Sequence, residues 1–103
     1  MRMPIDKATD TEQERRQCLE EMLTEHDPQW LDQFKPGSFG CHELLDRTML
    51  AANLVDEYVR SHPACVQNPE WFALAEQAMS ALEELYQRIG AEHLDEKDPA
   101  AGR

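Results

Sequence analysis

The stretch "SHPACVQNPEW", residues 61–71, decides how the chain folds. Proline lacks an amide hydrogen and clashes with the carbonyl four residues back, so a helix tolerates it only in the first turn. Pro63 can therefore start a single helical turn, and Asn68 followed by Pro69 supplies an N-cap and a first residue for a new helix. On either side of the stretch the apolar residues recur at helical spacing. After it, Phe72, Ala75, Met79, Leu82, Tyr86 and Ile89 form one stripe flanked by Leu74, Ala78, Ala81 and Leu85, and Gly90 stands where a C′ glycine would end the helix. Before it, positions 41, 44, 45, 52, 55 and 59, with 51, 54 and 58 beside them, make a broad stripe over residues 41–60. That width predicts a helix lying deep in a bundle. A connection of about eight residues between two long helices makes them antiparallel neighbours, and the alanines at 51, 52, 75, 78 and 81 permit close approach.

Further upstream, Asp27-Pro28 repeats the cap-plus-proline device and predicts a short helix over 28–34, with Trp30, Leu31 and Phe34 as an apolar plug. Thr11 stands three residues before Glu14, which is capping-box spacing, and predicts a first helix over 11–26. Its stripe of Cys18, Leu19, Met22 and Leu23 is thin, and the helix is expected to cover the groove left by the two long ones. Residues 1–10 read as a disordered N-terminus and 91–103 as a polar C-terminal tail, which leaves 11–90 as the domain. No segment alternates with period two. The expected fold is all-α: a small antiparallel bundle of two long helices in a hairpin, a shorter N-terminal helix and a plug helix of one to two turns packing against them.

The stretch "PGSFGCHELLDRT", residues 36–48, gathers the side chains that could carry chemistry. Gly37 and Gly40 let the backbone turn sharply after the plug helix. Once the helix runs, His42 and Asp46 share one face and Glu43 and Arg47 the next, with acid before base as in Asp56–Arg60 and Glu84–Arg88. The segment H-E-L-L-D departs from the zinc-binding H-E-x-x-H at its last position, and His42 with Asp46 supplies two ligands where a catalytic zinc site takes three and an open position. Cys41 points about 100° away from His42 around the helix. His62 and Cys65 have short ligand spacing, but a hairpin places them roughly 30 Å from His42. Cys41 could be activated by the positive helix terminus, yet it borders the apolar stripe, where a buried inert thiol is the simpler reading. Trp30, Trp71, Phe34 and Tyr58 read as core aromatics, Trp71 stapling the Pro63 turn down. Phe39, between two glycines, either packs back on Leu44 or projects as an anchor for a partner.

The 21 acids outnumber the 10 lysines and arginines, for a net charge of −11, and lysine occurs only at 7, 35 and 97. Such a balance argues against direct binding to nucleic acid or to an anionic membrane surface and favours basic protein partners, among them proteins that grip nucleic acid. "MRMPIDKATD" has no apolar signal-peptide region, and no window approaches the roughly 20 apolar residues of a spanning helix, so the expected location is the cytoplasm. Three cysteines there predict reduced thiols, mostly buried. No phosphate-cradling loop, nucleophile elbow or paired buried carboxylate occurs. The reading is a non-catalytic acidic interaction or regulatory module without cofactor or metal, contacting another protein through Phe39, His42, Glu43, Asp46, Arg47, Asn53, Asp56 and Glu57. The rival readings are a metal- or small-ligand-binding bundle using His42, Glu43 and Asp46, and a structural homo-oligomer, in the simplest case a homodimer, joined through a leftover apolar stripe.

Overall fold

The computed structural model describes residues 4–97, and among them there is no strand. The helical elements are α1 (Pro4–Glu25), a 3-10 helix (Pro28–Phe34), α2 (Phe39–Leu54), a π-helical turn (Val55–Arg60), α3 (Pro63–Val66) and α4 (Pro69–Lys97). The fold is all-α, as the periodicity predicts. The chain divides into two units, residues 1–32 and 33–103.

In the first unit, α1 is helical already from Pro4, seven residues before the capping-box start at Thr11. Residues 4–10, expected to be disordered, are therefore helical; residues 1–3 lie outside the described residues. The stripe of four apolar positions is too narrow to bury, and Cys18, Leu19, Met22 and Leu23 are all exposed, which corrects the expectation of a buried Cys18. Glu12 receives hydrogen bonds from Arg15 at 2.6 and 2.7 Å and from Arg16 at 3.2 Å. The Arg15 hydrogen bond is the largest influence holding the Glu12 carboxyl at about 2, against an ordinary 4.5. A depressed carboxyl stabilises the fold at pH above 4.5 and loses that contribution as pH falls from 4.5 towards 2. Glu12→Gln should accordingly lower helix content by circular dichroism at neutral pH by a small amount, and the difference from the unmodified chain should vanish near pH 2. The Trp30 ring stacks on His26, centroids 3.9 Å apart, and no residue of the 3-10 helix is fully buried, so the predicted plug is only a partial one.

In the second unit α4 packs along α2, the π turn and α3. His42 near the start of α2 lies 5.5 Å, ring to ring, from His93 near the end of α4, while Arg60 at the far end of the π turn reaches Glu76 at 3.0 Å and sits over the Phe72 ring. The two helices are thus antiparallel, and the turn between them is built as its prolines predict. His62 Nδ1 accepts the Ala64 N–H at 3.0 Å, Pro63 opens the single turn of α3, and Asn68 Oδ1 accepts the N–H groups of Glu70 and Trp71 at 3.1 Å. At the other end Ser38 Oγ caps α2 by accepting the Cys41 N–H at 3.1 Å.

The seam between the helices is narrow. On α4 the predicted stripe of 72, 75, 79, 82, 86 and 89 faces inward, and its flanks at 74, 78, 81 and 85 are exposed. On α2 the inward line is Cys41, Leu45, Thr48 and Ala52, with Thr48 Oγ1 donating to the Leu44 carbonyl at 2.8 Å. Leu44, Leu54, Tyr58 and Val59 are exposed, so the broad stripe over 41–60 is a seam with apolar margins and the helix does not lie deep. The reason is that a single partner helix covers only an a/d-wide strip. The π turn was not predicted. There Ser61 N–H donates to the Asp56 carbonyl five residues back at 3.1 Å, and Ser61 Oγ donates to the same oxygen at 2.7 Å. The three predicted helix-face ion pairs form, Glu43–Arg47 at 3.3 Å, Asp56–Arg60 at 2.6 Å and Glu84–Arg88 at 3.1 Å.

Gly90 does not end α4, which continues to Lys97, so residues 91–97 of the expected polar tail are helical and residues 98–103 lie outside the described residues. Among the described residues only Gly37 has a positive φ, at 89°. Gly90 is an ordinary helical position, and a methyl group added there would meet Leu45 Cδ1 at 3.7 Å, normal van der Waals distance. Gly90→Ala should therefore stabilise the chain by about 0.5–1 kcal/mol through the lower backbone entropy of alanine. Thermal denaturation checks this, since a glycine terminating the helix at positive φ would give a loss instead.

Candidate functional site

The predicted site residues fall into two groups. Phe39, His42, Glu43, Asp46 and Arg47 cluster on the first two turns of α2. Asn53 lies six residues beyond Arg47, about 9 Å further along the helix axis, and Asp56 and Glu57 follow on the π turn.

At the first group the backbone is tightly set. The left-handed Gly37 donates its N–H to His93 Nδ1 at 2.9 Å, and Gly40 packs against Phe34 so closely that a Cβ would lie 2.4 Å from Phe34 Cδ1 and 2.5 Å from the Gln33 carbonyl oxygen. Phe39 is 85% exposed, so it does not pack back into the fold. His42 Nε2 stands 3.6 Å from Asp46 Oδ2, while His42 Nδ1 is buried and has no hydrogen-bond partner among the described residues. His93 is fully buried. Because its Nδ1 accepts, the neutral ring carries its proton on Nε2. Among the described residues no three His, Cys, Asp or Glu side chains converge as metal ligands, and Glu43 is turned to Arg47. Cys41 and Cys65 are buried, and no disulfide joins the three cysteines.

At the opposite end of the hairpin the structure shows a groove that the sequence did not reveal. The π turn, α3 and the first turns of α4 border an open groove of about 500 Å³. Tyr58 (64% exposed), Trp71 (56%) and Leu74 (62%) form its walls with Val59, and the buried Cys65 and Ala75 form its floor. Trp71 is thus no core staple. With Asn68 as cap, the inward positions of the first turns of α4 are taken by Phe72 and Ala75, and Trp71 and Leu74 fall outside the seam. The wide π turn presents Tyr58 and Val59 opposite them, both exposed. The polar groups of the lining are the Tyr58 hydroxyl, the Trp71 indole N–H and His62, whose Nδ1 is already used in capping α3. Glu57 and Glu70 precede Tyr58 and Trp71, both exposed; Asp56 and Glu76 are held by Arg60, whose pKa the Asp56 hydrogen bond raises. The segment 56–76 carries these four acids against one arginine. The exposed flank at Leu74 was legible in the helical period, but the π turn that completes the groove was not.

No described helix is long and apolar enough to cross a membrane. Neither known families, curated proteins nor solved structures provide a match to the chain.

Proposed function

We propose that the chain is a non-catalytic, acidic interaction module that binds another protein through the groove at the closed end of its hairpin. The observation that carries this reading is the groove: an open, almost wholly apolar hollow with Tyr58, Trp71 and Leu74 more than half exposed. Apolar side chains held in solvent on a rigid helical frame are the usual anchors of a protein interface, and aromatics dominate such hot spots. The exposed Phe39 at the other end gives a second contact point, with Glu43, Asp46 and Arg47 around it. A net charge of −11 favours basic partners by electrostatic steering.

Affinity purification from the native host with the unmodified chain and with Leu74→Asp tests the reading. Leu74 is exposed, so the variant should keep its helix content. A partner retained by the first and lost by the second is the expected result. Equal capture by both, or turnover by the chain on a substrate panel, would contradict it.

A further inference from the structure

The geometry points to the occupant of this groove: the apolar face of an amphipathic helix whose flanks carry lysine or arginine. The inference rests on the binding function proposed above and names the partner's chemistry. With no strand among the described residues there is no exposed sheet edge to extend, so recognition falls to side chains. The walls are set at helical spacing, Trp71 and Leu74 one turn apart on α4 and Tyr58 with Val59 facing them from the π turn, which suits apolar anchors presented at i and i+3 or i+4. The lining surface is almost wholly apolar, its few hydrogen-bonding groups being the Tyr58 hydroxyl, the Trp71 indole N–H and the capping His62, so it suits apolar anchors.

The charge around the groove selects the flanks. Arg60 is committed to Asp56 and Glu76, and the carboxylates of Glu57 and Glu70, next to two of the wall residues, form no ion pair among the described residues. A cationic flank meets those carboxylates, whereas an acidic flank or a second copy of this chain at −11 is repelled.

The test uses the full chain in a Trp30→Phe background, so that Trp71 is its one indole. Three tryptophan-free helical peptides of 18 residues serve as probes: leucine–lysine, leucine–glutamate with the same apolar face, and lysine–serine with none. Expected are a saturable Trp71 fluorescence change with leucine–lysine alone, its loss in Leu74→Asp, and about fivefold weaker binding in Glu57→Gln/Glu70→Gln, the size two rim charges give. Leucine–glutamate binding as tightly would overturn the basic flank while leaving the groove as a binding site. Leucine–lysine binding undiminished by Leu74→Asp, or matched by lysine–serine, would show charge attraction alone and overturn the inference. So would no response to any peptide, with the host-capture experiment still deciding the function itself. Light scattering that shows a dimer dispersed by Leu74→Asp would replace the basic helix with a second copy.

Discussion

His93→Ala should destabilise the chain by about 3 kcal/mol, the largest loss expected from a single substitution outside the turns. His93 is the one fully buried large side chain among the described residues, and it does two things at once. Its ring fills the open end of the hairpin beside His42, and its Nδ1 accepts the N–H of Gly37, which is held at a φ of 89°. Truncation leaves a cavity and an orphaned amide in a unit whose other buried side chains are mostly small: Cys41, Thr48, Ala52, Cys65 and Ala75, with Leu45 the exception. Against a typical total of 5–15 kcal/mol, a loss of about 3 is severe. Urea denaturation should show a lower midpoint with an unchanged slope. His93→Gln, whose side-chain oxygen can still accept from Gly37, should recover part of the loss. A change below about 0.5 kcal/mol for His93→Ala, the size of an ordinary surface substitution, would mean that the ring is not buried there.

Gly40→Ala should cost about 1–3 kcal/mol, although alanine in a helix normally gains close to 1. The new methyl would stand 2.4 Å from the Phe34 ring and 2.5 Å from the carbonyl oxygen of Gln33, and the second neighbour is backbone and cannot swing away. Combining it with Phe34→Ala should therefore restore only part of the loss. Thermal unfolding of Gly40→Ala and Gly90→Ala side by side makes the comparison sharp, because one chemical change at two helical glycines is expected to move stability in opposite directions. A gain at both positions would show that Gln33 and Phe34 do not press on the start of α2.

Much of this fold is legible in the sequence because it is written in proline placement and in period. Asn68-Pro69 and Pro63 mark the turn correctly, and the stripe from Phe72 to Ile89 marks the buried face of α4 residue by residue. The failure at Gly90 is instructive. Glycine is favoured at C′, but four residues beyond Ile89 the same stripe reaches His93, and burying that ring with its bond to Gly37 outweighs one unfavourable helical glycine. Continuing the period past the glycine would have found it. The width of the α2 stripe misled for a different reason: apolar residues report a capacity for burial, and only the partners present decide which of Leu44, Leu54, Tyr58 and Val59 are covered. The groove was illegible because the π turn, a change of hydrogen-bond register with no side-chain signature, sets one of its walls. The charged residues around Phe39 and His42 were legible as individual side chains at helical spacing, with Asn53 further along α2 and Asp56 and Glu57 on the π turn.

Hydrogen exchange on the chain alone and on its complex with the captured partner tests most directly whether the groove is the binding surface. New protection is expected to concentrate in residues 58–75, with any at 39–47 weaker. Protection confined to 39–47, with 58–75 exchanging as in the unbound chain, would contradict it.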